Sequence, residues 1–392
     1  KEYLVNDQFS QIDTFAATLL ARYKQLFGVD AEIPAEGYPG EYVIDLAKQL
    51  RDEYGDKFVN DEVASQELRR FGIERMVASI RGDLEALNVV FDVWFFESSL
   101  YGESKTYEAA MQRLREQGAI VEKEGAVWLA SSALGESKDN VLVRSTGTPT
   151  YFASDIAYHY DKFFVRGFDK VIDIWGADHQ GHVSRVKTAV QALGVEEGRL
   201  EIIIGQLVGL KRGGETVRLS KRAGEIITLR EVVDDVGADA CRFFFLQRSA
   251  DAQMEFDIDL AKRQSSENPV YYVQYGYARA AGILTQATER GANSDGGDVR
   301  LLTHEAELAL IRKMLLLPEL VETIAENHEP HHLPHYALDL ATAFHDFYEK
   351  CRVMGEDVTP ELTKARLRLA GAAKVALGRT LSLMGMTAPE RM

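Results

Sequence analysis

Two short motifs combine residue types that could bind a nucleotide. The first is GADH, residues 176–179, directly after the apolar run KVIDIW. A carboxylate at the end of a buried strand can reach the two hydroxyl groups of a ribose. The second is RLSK, residues 218–221, whose cations could reach the phosphates of the same nucleotide. A Ser-Lys-Arg loop between two strand-like runs could equally be a solvated hairpin tip, so neither motif decides the function alone.

The segments around GADH predict how it is positioned. KVIDIWGADH is typical of a strand that ends at a glycine, HVSRVKTAVQAL of a helix, and LEIIIGQLVGL of a second strand. Strand, glycine, helix and strand form the βαβ unit of a doubly wound parallel sheet. Ligands of such sheets bind beyond the carboxyl ends of the strands, which is where both motifs are expected.

The remaining chain indicates an α/β region followed by helices. We expect a strand over Lys1–Val5, helices over Phe9–Phe27, about Tyr42–Tyr54 and Asp61–Leu87, and a buried strand in VVFDVWFFES. The predicted parts are a first catalytic segment (1–97), an insertion with a helix and two hairpins (98–148), a second catalytic segment (149–266) and a helical bundle with one long helix and three more amphipathic stretches (267–392).

Composition limits the function classes. The chain has 392 residues, a formal net charge of -16 and two cysteines. The negative charge argues against a general nucleic-acid coat, but a local basic surface would suffice for a tRNA. No apolar run reaches the roughly 20 residues of a membrane span, so we expect no membrane partner. Two cysteines build no disulfide framework, which favours a cytoplasmic location.

The histidines do not predict a metal site. His179 and His182 have H-x-x-H spacing, and His331, His332 and His335 form a second group. No third histidine or cysteine lies near the first pair to complete a zinc site, and the second group is more typical of surface or interhelical residues. We therefore expect no bound metal.

The motifs together resemble an arginyl-tRNA synthetase, a class I aminoacyl-tRNA synthetase. The resemblance extends over essentially the whole chain, and it rests on FDVWFFESSLY, PTYFASDIAYH, WGADHQGH, RLSK, VGADACRFFFLQRSADAQMEFD, ENPVYYVQY and the final APERM. It implies a Rossmann-like doubly wound parallel sheet with an insertion, followed by an all-α anticodon-binding bundle. It also implies ATP-dependent activation of L-arginine, with Mg²⁺ as the ATP complex, and transfer to tRNA(Arg).

The resemblance also assigns residues to roles. RLSK stands at the place of the family's KMSKS signature, which implies that its charged and hydroxyl residues stabilise phosphate: Arg218, Ser220 and Lys221. The implied ATP pocket comprises Gly176, Asp178, His179 and the backbone of Leu207 and Val208. The implied arginine pocket comprises Tyr151, Asp155 and His179. The implied tRNA contacts are Tyr271, Gln274, Tyr275, Arg279, Arg366 and Met392.

Other interpretations of these residues stay open. Asp155 could be a helix N-terminal residue favoured by the macrodipole, Asp178 a turn residue, and the tyrosines core packing. Cys241 suits a small buried position. The chain could also be a noncatalytic tRNA-binding paralogue or, on the same fold, an unrelated nucleotide-dependent hydrolase.

The family's His-x-Gly-His motif does not occur in the sequence. The resemblance implies that this motif would stand shortly before Lys1. We therefore expect the 392 residues to form no arginyl-adenylate on their own. We also expect the protein to be a monomer.

Overall fold

The computed structural model describes residues 1–8, 10–217 and 227–392. They form two compact units: residues 1–84 with 89–205, and residues 85–88 with 206–392. None of the described helices is both long enough and apolar enough to cross a bilayer.

The first unit contains three small sheets with helices beside them. Its strands are β1 (Glu2–Val5), β2 (Val93–Phe96), β3 (Ile120–Lys123), β4 (Ala126–Leu129), β5 (Asn140–Val143), β6 (Val171–Gly176) and β7 (Leu200–Gly205). Its helices are α1 (Ser10–Gln25), α2 (Glu41–Tyr54), α3 (Gln66–Ala86, whose last two residues belong to the second unit), α4 (Thr106–Glu116), α5 (Tyr151–Tyr160) and α6 (Val183–Ala192). β1 pairs in parallel with β2, and β6 pairs in parallel with β7.

The predicted βαβ unit is confirmed as β6-α6-β7. All six residues of β6 pair in register with β7, and α6 connects them. The helix packs its apolar residues into the core that also contains Phe152, Ile156 and Leu200. The carboxyl ends of both strands are glycines, Gly176 and Gly205, which face each other in the ladder.

Two strand predictions need correction. The run LEIIIGQLVGL is two strands rather than one, because the ladder of β7 ends at Gly205 and a new strand begins at Val208. The run VVFDVWFFES provides only the four residues of β2, and Val93 in it is exposed. Apolar composition alone does not distinguish a buried strand from one with an open face.

The predicted insertion has an antiparallel sheet. β3 and β4 form the expected hairpin, and β4 continues to β5. The second expected hairpin is reduced to a single bridge between Val143 and Pro149, with Gly147 in the left-handed region at its tip.

The second unit combines a small mixed sheet with helices. Its strands are β8 (Val208–Arg212), β9 (Glu215–Val217) and β10 (Met254–Asp257), in the order β10-β8-β9. Its helices are α7 (Leu229–Val236), α8 (Ala238–Leu246), α9 (Ile258–Ala261), α10 (Pro269–Glu289), α11 (Glu305–Leu315), α12 (Leu317–Asn327), α13 (His332–Lys350) and α14 (Pro360–Leu383). Four helices therefore follow α10, one more than the sequence pattern predicts.

Candidate functional site

Helix α5 presents the predicted arginine-binding pair. The Thr150 hydroxyl caps the helix by accepting a hydrogen bond from the Ala153 N–H, so the helix begins at Tyr151. Tyr151 is 46% exposed, and Asp155 lies four residues later. The two side chains therefore share one face of the helix, as predicted. Asp155 is the fifth helical residue, beyond the first turn, so a helix-terminal role does not explain it.

The Asp155 carboxyl group lies among charged side chains. Burial raises its pKa to about 6, although His159 and Arg185 act in the opposite direction and lower it. Lys162 also lowers this pKa, whereas the neighbouring Asp173 raises it. At neutral pH the group is therefore mostly ionised and poorly solvated, which makes it a strong acceptor for a cationic donor.

Beneath this pair lies a layer of buried charges. His159 contacts the Asp155 carbonyl oxygen through Nδ1 at 2.7 Å and the Asp173 carboxylate through Nε2 at 2.8 Å. The Lys162 ammonium donates to the other Asp173 oxygen at 2.7 Å. Burial alone would raise the pKa of Asp173, but the hydrogen bonds and charges of His159 and Lys162 lower it to about 2. Since Asp173 lies on β6, these contacts join α5 to that strand.

A second ion pair links the segment that follows α5 to β1. The Arg166 guanidinium donates to both carboxylate oxygens of Glu2, at 2.5 and 3.0 Å. The Tyr158 hydroxyl also donates to Glu2. The contacts of His159 with Asp173 and of Tyr158 with Glu2 therefore hold α5 against the strands of the first unit.

The GADH motif occupies the carboxyl end of β6. Gly176 ends the strand, and residues Ala177–His182 form a 3₁₀ turn before α6. A Cβ atom on Gly176 would lie 2.7 Å from Asp178 Oδ1, so a larger residue there would require the exposed Asp178 side chain to move away from the strand end. The side chains of Asp178 and His179 are 83% and 59% exposed, and 3.7 Å separates Asp178 Oδ2 from His179 Nε2. Both groups are thus accessible to a ligand.

The second unit contains the other predicted nucleotide residues. Leu207 is 87% exposed, and Val208 begins β8. The Gln206 N–H donates to the Ala250 carbonyl at 2.8 Å, which fixes the backbone just before them. Arg218, Ser220 and Lys221 lie outside the described residues.

Helix α10 contains four of the predicted tRNA contacts. The rings of Tyr271 and Tyr275 lie nearly parallel, with centroids 6.0 Å apart. The Arg279 guanidinium lies 4.6 Å from the Tyr275 ring centroid and 4.3 Å from that of Tyr348. The result is a layered surface of aromatic rings and one cation, while Met392 is 50% exposed.

Two of the predicted tRNA contacts have partners inside the helical unit. Gln274 is buried and donates to Asp239 at 2.7 Å and to the Thr387 carbonyl at 3.0 Å. Arg366 donates to the buried Glu307 carboxylate at 2.6 Å and to the Arg352 carbonyl at 2.7 Å. Their hydrogen-bonding groups are therefore used within the protein.

Two family models match this chain over consecutive ranges. The model of the class I tRNA synthetase (R) catalytic domain matches residues 42–253. The model of the DALR anticodon binding domain matches residues 273–392. The catalytic match covers more than half of the chain. The chain belongs to the arginyl-tRNA synthetase family.

Individual relatives agree with this assignment. The chain is 56% identical to the arginine–tRNA ligase of Dehalococcoides mccartyi, over all of the chain and 70% of that protein. It is 50% identical to the arginine–tRNA ligase of Heliobacterium modesticaldum, with the same coverage. A solved structure of a Campylobacter jejuni protein named as an arginyl-tRNA synthetase superposes with a TM-score of 0.86 at 33% identity, over all of this chain and 84% of that one. The predicted family and fold class are confirmed.

The charged layer between α5 and β6 is a feature that the sequence motifs do not predict. His159, Lys162 and Asp173 were not predicted as site residues, and neither was the Glu2–Arg166 pair. One signal was present in the sequence, since Asp173 interrupts the apolar strand VIDIWG. A carboxylate in such a run requires a buried partner, but the run does not indicate which residue provides it.

Two further observations concern Cys241 and a group of two histidines with a glutamate. Cys241 is fully buried, and burial raises the pKa of its thiol to about 11, which agrees with the predicted packing role. Within the described ranges, one group of side chains has the arrangement of a metal site, namely Glu329, His331 and His332.

Proposed function

We propose that this arginyl-tRNA synthetase selects arginine through the carboxylate of Asp155, with Tyr151 beside it. The family is that of arginine–tRNA ligases, and the observation that supports this choice is the partly buried carboxyl group of Asp155 on α5, four residues after the exposed Tyr151. A guanidinium is a planar fork of donors, and a carboxylate can accept two of them in parallel. A lysine ammonium cannot reproduce that geometry. Tyr151 offers a ring face or a hydroxyl acceptor one turn away.

ATP, as its Mg²⁺ complex, is the proposed second substrate. Asp178 is proposed to bind the ribose hydroxyls, His179 to contact the adenylate and the arginine, and Gly176 to leave room for both. The backbone at Leu207 and Val208 is proposed to face adenine, and Leu207 is 87% exposed. Arg218, Ser220 and Lys221 are proposed to stabilise the phosphates as the arginine carboxylate attacks the α-phosphorus.

The helical domain is proposed to bind the anticodon of tRNA(Arg). Tyr271, Tyr275 and Arg279 offer ring faces and donors to unstacked bases, and the exposed Met392 is a further contact. Gln274 and Arg366 are proposed to shape this surface from within, because both have protein partners. A monomeric, cytoplasmic enzyme with no membrane partner completes the proposal.

The substitution Asp155→Asn tests the arginine site in the complete synthetase. It preserves shape but removes the charge, so the KM for arginine should rise by the equivalent of about 2–4 kcal/mol while the KM for ATP stays near normal. Asp169→Asn is the matched control, because Asp169 is fully exposed in the same unit. Unchanged arginine kinetics in a folded Asp155→Asn enzyme would remove Asp155 from the site.

The inactivity of the 392 residues alone stays a prediction. Positioning and electrostatics contribute most of adenylation, and the His-x-Gly-His motif is not among these residues. Arginine-dependent exchange of pyrophosphate into ATP, measured with tRNA present, tests it. Robust exchange would contradict the prediction.

A further inference from the structure

The junction between α12 and α13 concentrates histidines. The segment HEPHHLPH, residues 328–335, contains four of the nine histidines of the chain. It begins where α12 ends at Asn327 and extends into the first turn of α13, which starts at His332. Neither the adenylation site nor the aromatic surface of α10 uses these residues.

Three side chains of this junction converge. One ligand atom each from Glu329, His331 and His332 lies within 4.8 Å of the other two. Glu329 Oε2 and His332 Nε2 are 3.3 Å apart, and the two imidazole rings have centroids 4.3 Å apart. Around a tetrahedral zinc ion with bonds of about 2.0–2.1 Å, neighbouring ligand atoms are about 3.4 Å apart. The Glu329–His332 pair already has that separation.

The backbone under the cluster is fixed. The His332 N–H donates to the Glu329 carbonyl at 3.3 Å, and the Leu333 N–H donates to the Pro330 carbonyl at 3.0 Å. The following residues, Leu333 and Pro334, are buried in the helical unit. The three ligands therefore project from a closed turn, so less conformational entropy would be lost when an ion binds.

The local charges permit a cation. The carboxyl end of α12 and the amino end of α13 meet at this turn, so their opposite partial charges largely cancel. Glu329 adds a full negative charge. His331 already has helical backbone angles, and His335 follows it by four residues on the same helical face, where it could provide a fourth nitrogen.

We propose that Glu329, His331 and His332 form a binding site for a divalent transition-metal ion of the Zn²⁺ type, with His335 or water in the fourth position. Two imidazoles and a carboxylate suit Zn²⁺, Ni²⁺ or Co²⁺, whereas Mg²⁺ and Ca²⁺ prefer oxygen ligands only. The proposal departs from the sequence-based expectation of no metal. Bound metal would connect the end of α12 to the start of α13 and stabilise the helical unit.

Metal titration of the metal-stripped chain tests this site. We expect isothermal titration with Zn²⁺ to show one strong equivalent, a moderate excess of Zn²⁺ to raise the Tm, and Mg²⁺ to do neither. His331→Asn, His332→Asn and Glu329→Gln should each weaken Zn²⁺ binding about tenfold or more, because each removes a ligand. Circular dichroism checks that each variant is folded.

Two controls separate this site from other binding. Glu326→Gln removes the same charge from an exposed position on α12 and should leave Zn²⁺ affinity unchanged. His182→Asn removes one member of the other histidine pair, whose rings lie 5.9 Å apart, and should also leave the strong equivalent intact. If a histidine variant fails to fold, the exposed Glu329→Gln change provides the same comparison.

Three results would overturn the proposed metal site. Absence of a strong Zn²⁺ equivalent in the original chain would refute the site. So would a strong equivalent that survives all three ligand substitutions, or one that disappears only in His182→Asn.

Discussion

His159 and Asp173 form a buried ion pair that joins helix α5 to strand β6, with 2.8 Å between Nε2 and the carboxylate oxygen. The other ring nitrogen, Nδ1, faces the Asp155 carbonyl oxygen at 2.7 Å. The carbonyl oxygen and the ionised carboxylate are both acceptors, and each of them faces one ring nitrogen of His159. The side chain that joins α5 to β6 therefore lies one turn away from Asp155 on the same helix.

The first prediction concerns the pH dependence of arginine binding. The pKa of Asp155 is raised to about 6 by burial, against the opposing effects of His159, Arg185 and Lys162 and with a further increase from Asp173. Below that pH the carboxyl group is protonated and cannot accept two guanidinium donors. We expect the KM for arginine to rise about tenfold for each pH unit below 6. Steady-state kinetics of the complete synthetase measure this.

Two comparisons make the pH profile specific. The KM for ATP should not follow the same profile, and Asp155→Asn should flatten the profile for arginine. An arginine KM that is constant between neutral pH and pH 5 would contradict the assignment of Asp155.

The second prediction uses the two partners of the ion pair. His159 lowers the pKa of Asp155 and Asp173 raises it, so their removal should move the pH profile in opposite directions. His159→Gln should shift the rise in arginine KM to higher pH, and Asp173→Asn should shift it to lower pH. A merely structural role for both residues predicts weaker binding with no change in the profile. Asp169→Asn, at an exposed position in the same unit, is the control.

The third prediction concerns stability in acid. The pKa of Asp173 is about 2 in the folded protein, below the ordinary value of 3.8 for an aspartate, so the unfolded chain binds more protons between these values. The stabilisation of the folded state by ionised Asp173 is therefore complete above about pH 3.8 and is lost as the pH falls towards 2. Asp173→Asn should lower the free energy of unfolding at neutral pH by about 2 kcal/mol, and the difference should shrink below pH 3.8.

Urea denaturation across this pH range measures the effect. Asp155 acts in the opposite sense: its raised pKa makes the folded state bind more protons between pH 3.8 and about 6, so its ionisation reduces stability as the pH rises. Asp169→Asn, at an exposed position, should leave the curve unchanged. Equal destabilisation by Asp173→Asn at all pH values would contradict the ion-pair explanation.

The fourth prediction distinguishes a structural Arg366 from a tRNA contact. Its guanidinium pairs with Glu307, whose side chain is only 1% exposed, so Arg366→Gln leaves a buried carboxylate without its cation. We expect a loss of about 3 kcal/mol of stability, at the lower end for buried pairs because Glu307 also accepts the His304 N–H. Thermal or chemical denaturation measures this loss.

A matched variant on α14 completes that test. Lys364→Gln removes a cation at an exposed position two residues earlier and should cost little stability. If Arg366 instead contacted phosphate, its removal would lower the salt dependence of tRNA binding and leave stability unchanged.

The sequence by itself determined the family, the βαβ unit and most helices. GADH, YFASDIAYH and the DALR-like DACR segment are local patterns, and the helical and strand periods that surround them need only neighbouring residues. The cap of α5 is also a local contact, because the Thr150 hydroxyl accepts a hydrogen bond from the Ala153 N–H. The motifs, the helical periods and the helix cap depend on residues a few positions apart, so the sequence alone indicates them.

Only the tertiary structure decided which charges are paired. Glu2 and Arg166 are 164 residues apart, and Glu307 and Arg366 are 59 apart. The burial of Gln274 against Asp239, 35 residues away, likewise depends on how distant segments meet. The burial of a charged side chain gives no periodic signal in the sequence. The same side chain is well solvated in water and is stable in a core only beside a partner of opposite charge.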